Sequence, residues 1–284
     1  MKIGPWDIQL VQGGTFALDG GAMFGTVPKV VWSKAYPSDA ENRIQMAANC
    51  LLLQGEVDGR RQVVLVENGN GEKEDDGWRQ RFAMGPRGTL VQGLAAHGVK
   101  PEDVTLCLLT HLHFDHAGGS TVLDPEGRPV PAFPKARYLV QKQDLDDAKH
   151  PHLRVKASYL PWNWESLEAA GLLDTLEGAA EILPGLSVRL APGHIKGLQN
   201  VVVEGEGSRL LFLSDLIPTA RHIQPAWVMG YDLDVVTCVD ERLKVLDEVS
   251  GTSTVCVFYH DPDIPAGTVE RDGKGRYIVV PVLI

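Results

Sequence analysis

Short apolar runs bounded by glycine, proline and charged turns recur along the chain, and their brevity and composition predict strands. They fall at Ile8–Gly13, Thr15–Leu18, Cys50–Gln54, Val63–Glu67, Thr105–Leu109, Arg137–Gln141, Leu186–Leu190, Asn200–Glu204, Arg209–Leu213, Val255–Tyr259 and Tyr277–Val280. Several are apolar at consecutive positions, the pattern of a strand covered on both faces. Helices are expected at Thr89–His97, Gln143–Lys149, Trp164–Ala170 and Tyr231–Val249, the last interrupted, with Leu243, Leu246 and Val249 at helical spacing near its end. Val201–Val203 and Leu210–Leu213, joined across Glu204-Gly205-Glu206-Gly207, read as a hairpin. Many strands, with helices interleaved late rather than in strict alternation, predict an α/β protein of two packed sheets with helices outside. No fixed-period repeat or low-complexity linker interrupts residues 1–284, which read as one domain.

Composition narrows the partners. With 284 residues, 44% apolar and 23% charged, the chain has room for a sizeable core. A net charge of −10 argues against nucleic acid or an anionic membrane and for a small neutral or locally polar substrate. Cys50, Cys107, Cys238 and Cys256 are scattered among apolar stretches and read as buried free thiols. The segment Met1–Asp7 lacks the apolar region of a signal peptide, and no run of ~18 apolar residues could span a bilayer, so a cytoplasmic location is expected.

The chemistry concentrates in Thr110-His111-Leu112-His113-Phe114-Asp115-His116-Ala117-Gly118-Gly119, which sets three imidazoles and a carboxylate in a loop directly after an apolar strand. His194, Asp215 and His260 each follow a predicted strand as well. Five imidazoles and two carboxylates suit two borderline ions of the zinc type, each left short of saturation so that water can enter. Manganese, iron or cobalt would accept the same donors. The expected partition places His111, His113 and His194 on one ion and Asp115, His116 and His260 on the other, with Asp215 bridging. Of the other histidines, His97 reads as a helix end, His150 and His152 as loop residues, and His222 as close enough to reach a pocket. Met23, Phe24, Trp162, Trp164 and Trp227 suit either an acyl-binding cleft or the core. Glu72–Asp76 reads as a solvated loop.

With these residues in view, the chain resembles the metallo-β-lactamase-fold hydrolase superfamily. The HxHxDH signature matches at His111, His113, Asp115 and His116, and the downstream His, Asp and His motifs match at His194, Asp215 and His260. The resemblance implies a four-layer αββα sandwich with a dinuclear site at one edge. Leu18–Gly25, Thr110–His116, Tyr138–Gln143 and Phe258–Asp261 further resemble the quorum-quenching lactonases of the YtnP type, which open N-acyl-homoserine lactones. The implied reaction is attack by a metal-bridging hydroxide on the lactone carbonyl, with Asp115 shuttling a proton to the leaving alkoxide. Two departures stand out. Glu67-Asn68-Gly69 occupies a position where the superfamily commonly has Asp, and Pro218 stands where some lactonases carry a substrate-contacting Tyr. Thr219, His222 and Tyr231 are the candidates to replace that donor, with Met23 and Phe24 as further pocket residues. Competing readings are a glyoxalase II-like thioesterase, whose basic patch would have to come from Arg271, Lys274 and Arg276, another ester or phosphotriester hydrolase, and an iron-dependent oxidoreductase of the persulfide dioxygenase kind. The N-terminal segment is a candidate homodimer interface, as in some relatives.

Overall fold

A computed structural model of the chain describes residues Met1–Ile284. Two seven-stranded sheets dominate it. The first is built from β1 (Lys2–Ile3), β2 (Trp6–Asp19), β3 (Arg43–Val57), β4 (Arg60–Val66) and β5 (Leu106–Leu108). A separate two-stranded ribbon, β6 (Thr121–Leu123) with β7 (Pro129–Pro131), precedes its last members, β8 (Arg137–Gln141) and β9 (Leu173–Leu176). The second sheet runs in chain order through β10 (Ala180–Leu183), β11 (Leu186–Leu190), β12 (Gln199–Gly205), β13 (Ser208–Phe212), β14 (Val255–Val257), β15 (Ala266–Arg271) and β16 (Tyr277–Pro281). Both sheets are mixed: β4, β5, β8 and β9 pair in parallel, as do β13 and β14, and the remaining pairs are antiparallel.

The side-chain period of two sorts residues between layers. Val201, Val203, Leu210, Phe212, Val255 and Val257 face the main core, which they share with Leu51, Leu53 and Leu65 of the first sheet. The intervening Val202, Leu211 and Cys256 pack on the opposite face against Val245, Leu246 and Val249 of a long helix. The two packed sheets with helices outside match the strand pattern, and the arrangement is the αββα sandwich that the family resemblance implies. Its helices are α1 (Gly20–Phe24), α2 (Lys29–Trp32), α3 (Asp76–Arg81), α4 (Thr89–Ala96), α5 (Phe114–Ala117), α6 (Lys142–Lys149), α7 (Glu165–Ala169) and α8 (Val235–Val249). None is long and apolar enough to cross a membrane. All four cysteines are buried and free.

Three differences from the sequence reading have local causes. The runs Ile8–Gly13 and Thr15–Leu18 form one strand, because the register shift between Gln12 and Thr15 is absorbed as a bulge. Gln12 Oε1 seals that bulge by accepting from Gly14 N and Ala48 N, both at 3.2 Å. The helix expected from Tyr231 starts only at Val235, where Asp234 caps it by accepting from Thr237 N at 3.0 Å. Residues 231–234 are therefore loop, which releases their side chains toward the site. Strands β1, β6, β7, β9, β10 and β15 lie outside the predicted set. In β15 a glycine breaks the apolar run, at a position where a Cβ would meet Val279 Cγ1 at 2.5 Å.

Candidate metal centre

The parallel strands of the first sheet end at one edge, and the chain leaving β5 carries Thr110 to His113 across it before turning into α5. That turn is possible because two glycines follow at once. A Cβ on Gly118 would lie 2.1 Å from Asn70 O, and one on Gly119 would lie 2.0 Å from Asn68 O. The backbone is tied there, with Asn68 N donating to His116 O at 2.9 Å. Asp144 of α6 fixes the other side. Its Oδ2 accepts from Leu112 N at 2.7 Å and its Oδ1 from Tyr159 Oη at 2.6 Å, while burial pushes its carboxyl up to about 7.

The second sheet supplies the remaining donors from loops at its own strand ends. His194 follows β11, after a glycine (Gly193, φ +136°) whose Cβ would meet Cys238 Cα at 2.5 Å. Asp215 follows β13 and His260 follows β14. The structure brings all seven buried side chains together, His111, His113, His194 and Asp215 in one cluster and Asp115, His116 and His260 in another, and Glu67 forms a third group with His111 and His116 that overlaps both. Asp215, in the first cluster, also faces the second. Its Oδ2 lies 3.3 Å from His194 Nε2 and 3.8 Å from His111 Nε2, and its Oδ1 lies 3.1 Å from His260 Nε2 and 3.4 Å from His116 Nε2. His194 Nε2 is 3.2 Å from His113 Nδ1, and Asp115 Oδ2 is 3.6 Å from His260 Nε2 and 4.0 Å from His116 Nε2.

These residues fit divalent ions by the chemistry of their donors. Tetrahedral bonds of roughly 2.0–2.1 Å put neighbouring ligand atoms about 3.3 Å apart, and the separations here run from 3.1 to 4.0 Å. His111 Nε2, His116 Nε2 and Asp215 Oδ1 are buried without any hydrogen-bond partner, a costly arrangement for polar atoms with no other task. Burial holds His111 and His113 neutral, well below the usual imidazole range. For His116 and His194 burial acts in the same direction but is overcome, at His116 by Asp215, Glu67 and Asp115 and at His194 by Asp215 and Asp232, so the carboxylates draw in positive charge. A cation can take the place of those protons.

Four of the five rings have a partner on the nitrogen that faces away from the clusters, whereas Nε2 of His113 is buried without one. His260 Nδ1 donates to Ala47 O at 2.9 Å, His194 Nδ1 to Asp232 Oδ1 at 2.9 Å and His116 Nδ1 to Glu67 Oε1 at 3.1 Å. His111 Nδ1 lies 3.1 Å from Thr110 Oγ1. With Nδ1 protonated, Nε2 of these rings is left as a lone pair aimed into the clusters. Thr110 Oγ1 also meets Glu67 Oε1 and, at 2.6 Å, Ser214 Oγ. Glu67 and Ser214 both adopt positive φ, 64° and 48°, so backbone strain is held beside the site by this hub. Glu67 thus reaches from its strand end to both Thr110 and His116, although it departs from the common Asp.

A cavity of about 440 Å³ opens over the clusters, with His113, Asp115, His194, Asp215 and His260 in its floor. Of the pocket candidates, Met23 and Tyr231 line it. Phe24, Thr219 and His222 do not. Phe24 is sandwiched between Trp32 (5.3 Å between ring centroids) and His222 (4.4 Å). His222 Nε2 donates to Met23 O at 2.9 Å and its Nδ1 meets Thr219 Oγ1 at 2.7 Å, which commits these three residues to the wall behind the cavity. Trp164 and Trp227 also stand away from it, and Trp162 is on the outer surface beside the ribbon. Sequence reasoning missed Trp78, Phe82, Arg81 and Arg154 in the cavity wall, and Asp232 and Asp144 behind the donors. Asp232 was hidden because the helical period had been extended through it.

Fold and donor ring together define a class: the chain belongs to the metallo-beta-lactamase superfamily, whose family model matches residues 44–250, and it is a hydrolase of that superfamily. An N-acyl homoserine lactonase of Bacillus cereus is 28% identical over 233 residues, spanning 78% of this chain and 83% of that protein. A second, from a Bacillus species, is 29% identical over 175 residues but is covered over only 62% of its length. Among solved structures, a probable metal-dependent hydrolase from Staphylococcus aureus matches with a TM-score of 0.86 at 29% identity over the whole of both chains. The fold is shared with AidC, a dizinc quorum-quenching lactonase, at a TM-score of 0.79 and 21% identity over 100% of this chain and 97% of that one.

Proposed function

We propose that this hydrolase opens lactone rings, with N-acyl homoserine lactones as its substrates, at a centre of two divalent ions. The observation that carries the reading is Asp215 standing within 3.1–3.4 Å of His194 on one side and of His116 and His260 on the other, beneath an apolar-walled cavity. His111, His113, His194 and Asp215 Oδ2 would hold one ion, and Asp115, His116, His260 and Asp215 Oδ1 the other. Bound there, divalent ions supply Lewis acidity toward a carbonyl oxygen and lower the pKa of water to roughly 7.

The chain's own residues do the rest. Leu18, Met23, Trp78, Phe82, Phe114 and Met229 form a wall that takes an acyl chain out of water and holds the ring against the floor. Tyr231 replaces the donor missing at Pro218. Burial, with Asp115 and Asp19 nearby, pushes its phenol up to about 12, so at neutral pH it keeps its proton and donates a hydrogen bond to the carbonyl oxygen as charge develops. Asp115, in the floor, accepts the proton of the attacking water and returns it to the ring oxygen. In the balance, hydroxyl joins the carbonyl carbon, the ring C–O bond breaks and the proton ends on the alcohol. The alcohol stays tethered to the new acid.

A competing reaction, thioester hydrolysis of the glutathione kind, cannot draw a basic patch from Arg271, Lys274 and Arg276, none of which lines the cavity. Arg271 pairs with Asp247 at 2.5 Å and Arg276 with Asp272 at 2.6 Å. The test is hydrolysis of homoserine lactones of graded acyl length by protein reconstituted with zinc or manganese, beside His111→Ala. Turnover of about 1 s⁻¹ or faster, abolished in the variant, is the expected result. Failure across the series with both metals bound rejects the substrate, and metal analysis returning a single iron per chain favours the oxidoreductase reading.

A further inference from the structure

Two arginines border the cavity, Arg81 at the end of α3 and Arg154 in the loop after α6. Both are exposed residues. Several surface arginines are occupied, Arg43 by Asp39, Arg137 by Asp174 and Arg271 by Asp247, while the exposed Arg60, Arg61 and Arg221 form no ion pair but stand away from the cavity. Arg81 and Arg154 form no ion pair with any protein carboxylate, in a chain whose net charge is −10. Arg154 spends one Nη2 hydrogen bond on Gly230 O, which fastens its loop to the segment carrying Tyr231 and holds the guanidinium at the rim. The remaining donors of both groups are free. The carboxylates that line the cavity, Asp115 and Asp215, lie in the floor among the clustered imidazoles, and Arg81 and Arg154 are the cations of its lining, with the exposed carboxylate of Asp19 just outside it near Tyr231.

The geometry points to a specificity device: Arg81 and Arg154 select substrates whose acyl portion carries a carboxylate, or a like anion, away from the lactone carbonyl. The inference rests on the lactonase reading of the same site and adds the substrate class. The apolar wall takes the methylene chain, the floor takes the ring, and the guanidinium pair takes the distal anion, for which a planar fork of N–H donors is well matched. Neutral acyl lactones would then enter the site without using its most polar feature.

The test compares hexanoyl- and adipoyl-homoserine lactone, equal in chain length and different by one terminal carboxylate, on the metal-loaded enzyme. Expected is a preference for the adipoyl compound of about fivefold or more in kcat/KM at low ionic strength. The ratio should collapse toward unity in about 1 M salt and in the Arg81→Met/Arg154→Met double variant. A ratio at or below one in the wild type, or one that the double variant leaves unchanged, overturns the inference. If neither lactone is hydrolysed, the proposed reaction fails by itself. Calorimetric binding of the same two compounds to the loaded wild type and double variant then decides the question of charge, and equal affinities overturn it.

Discussion

At the residue scale, the donors are held from behind as carefully as they are aimed forward. Four imidazoles each have their outward nitrogen fixed by a different group, Thr110, Glu67, Asp232 or the Ala47 carbonyl. Asp232 is the most informative of these, because its second oxygen also accepts from Met229 N at 2.9 Å and so couples the ring of His194 to the cavity wall. Asp232→Ala is expected to weaken metal binding by about 10- to 100-fold, read by competition against a chromogenic chelator. Asp232→Asn, which keeps an acceptor for Nδ1–H, should recover most of the loss. An alanine variant with wild-type affinity would show that His194 is oriented by packing alone. The seven side chains that the structure gathers could be singled out in the sequence because they follow strand ends and carry chemistry rare in a turn. Their supports could not: an aspartate three residues before a helix start looks like any cap until the ring it faces is placed.

At the element scale, α1 and the turn Ala220–Ile223 are locked together by a histidine that does no chemistry. Burial, reinforced by Arg242, pushes His222 down to about 3, while a histidine in the unfolded chain titrates near 6.5. The unfolded state therefore binds the extra proton between these values. The contribution to stability is fully present above about pH 6.5 and is lost as the pH falls toward 3. Urea unfolding at pH 7.5 and pH 5 should show the wild type losing about 2 kcal/mol more than His222→Gln across that interval. Equal losses would mean that the imidazole is not held neutral. The same stretch shows where pattern reading stops. Alternation and apolar runs locate Arg137–Gln141 and Leu186–Leu190 at the bounds observed, because burial on two faces leaves a strong signal. Short strands such as Leu173–Leu176, only half-buried, and Ala266–Arg271, opened by an alanine and a glycine, carry almost none. Phe24 and His222 look like pocket residues by composition, and only their stacking on each other shows that they form the wall's back.

At the scale of the whole molecule, the donor clusters join the two sheets. His111, His113, Asp115 and His116 hang from the first, and His194, Asp215 and His260 from the second. Ions bound there would cross-link the sandwich at one edge, and any ligand that binds only the folded state stabilises it. Stripping the protein with a strong chelator is expected to lower its melting temperature by roughly 5 to 10 °C, taking free metal at about 100 times its dissociation constant as the reference. Zinc added back should restore it, and an unchanged melting temperature would sever metal binding from the fold. The sharing of donors between sheets also sets an order of events during synthesis. The 144 positions from His116 to His260 take roughly 7 to 30 s to translate. Over that interval the growing chain displays a thiol-free, histidine-rich loop with no second sheet to complete it. Until the second sheet forms, that loop lacks His194, Asp215 and His260, so the complete donor set can discriminate among ions only in the finished fold.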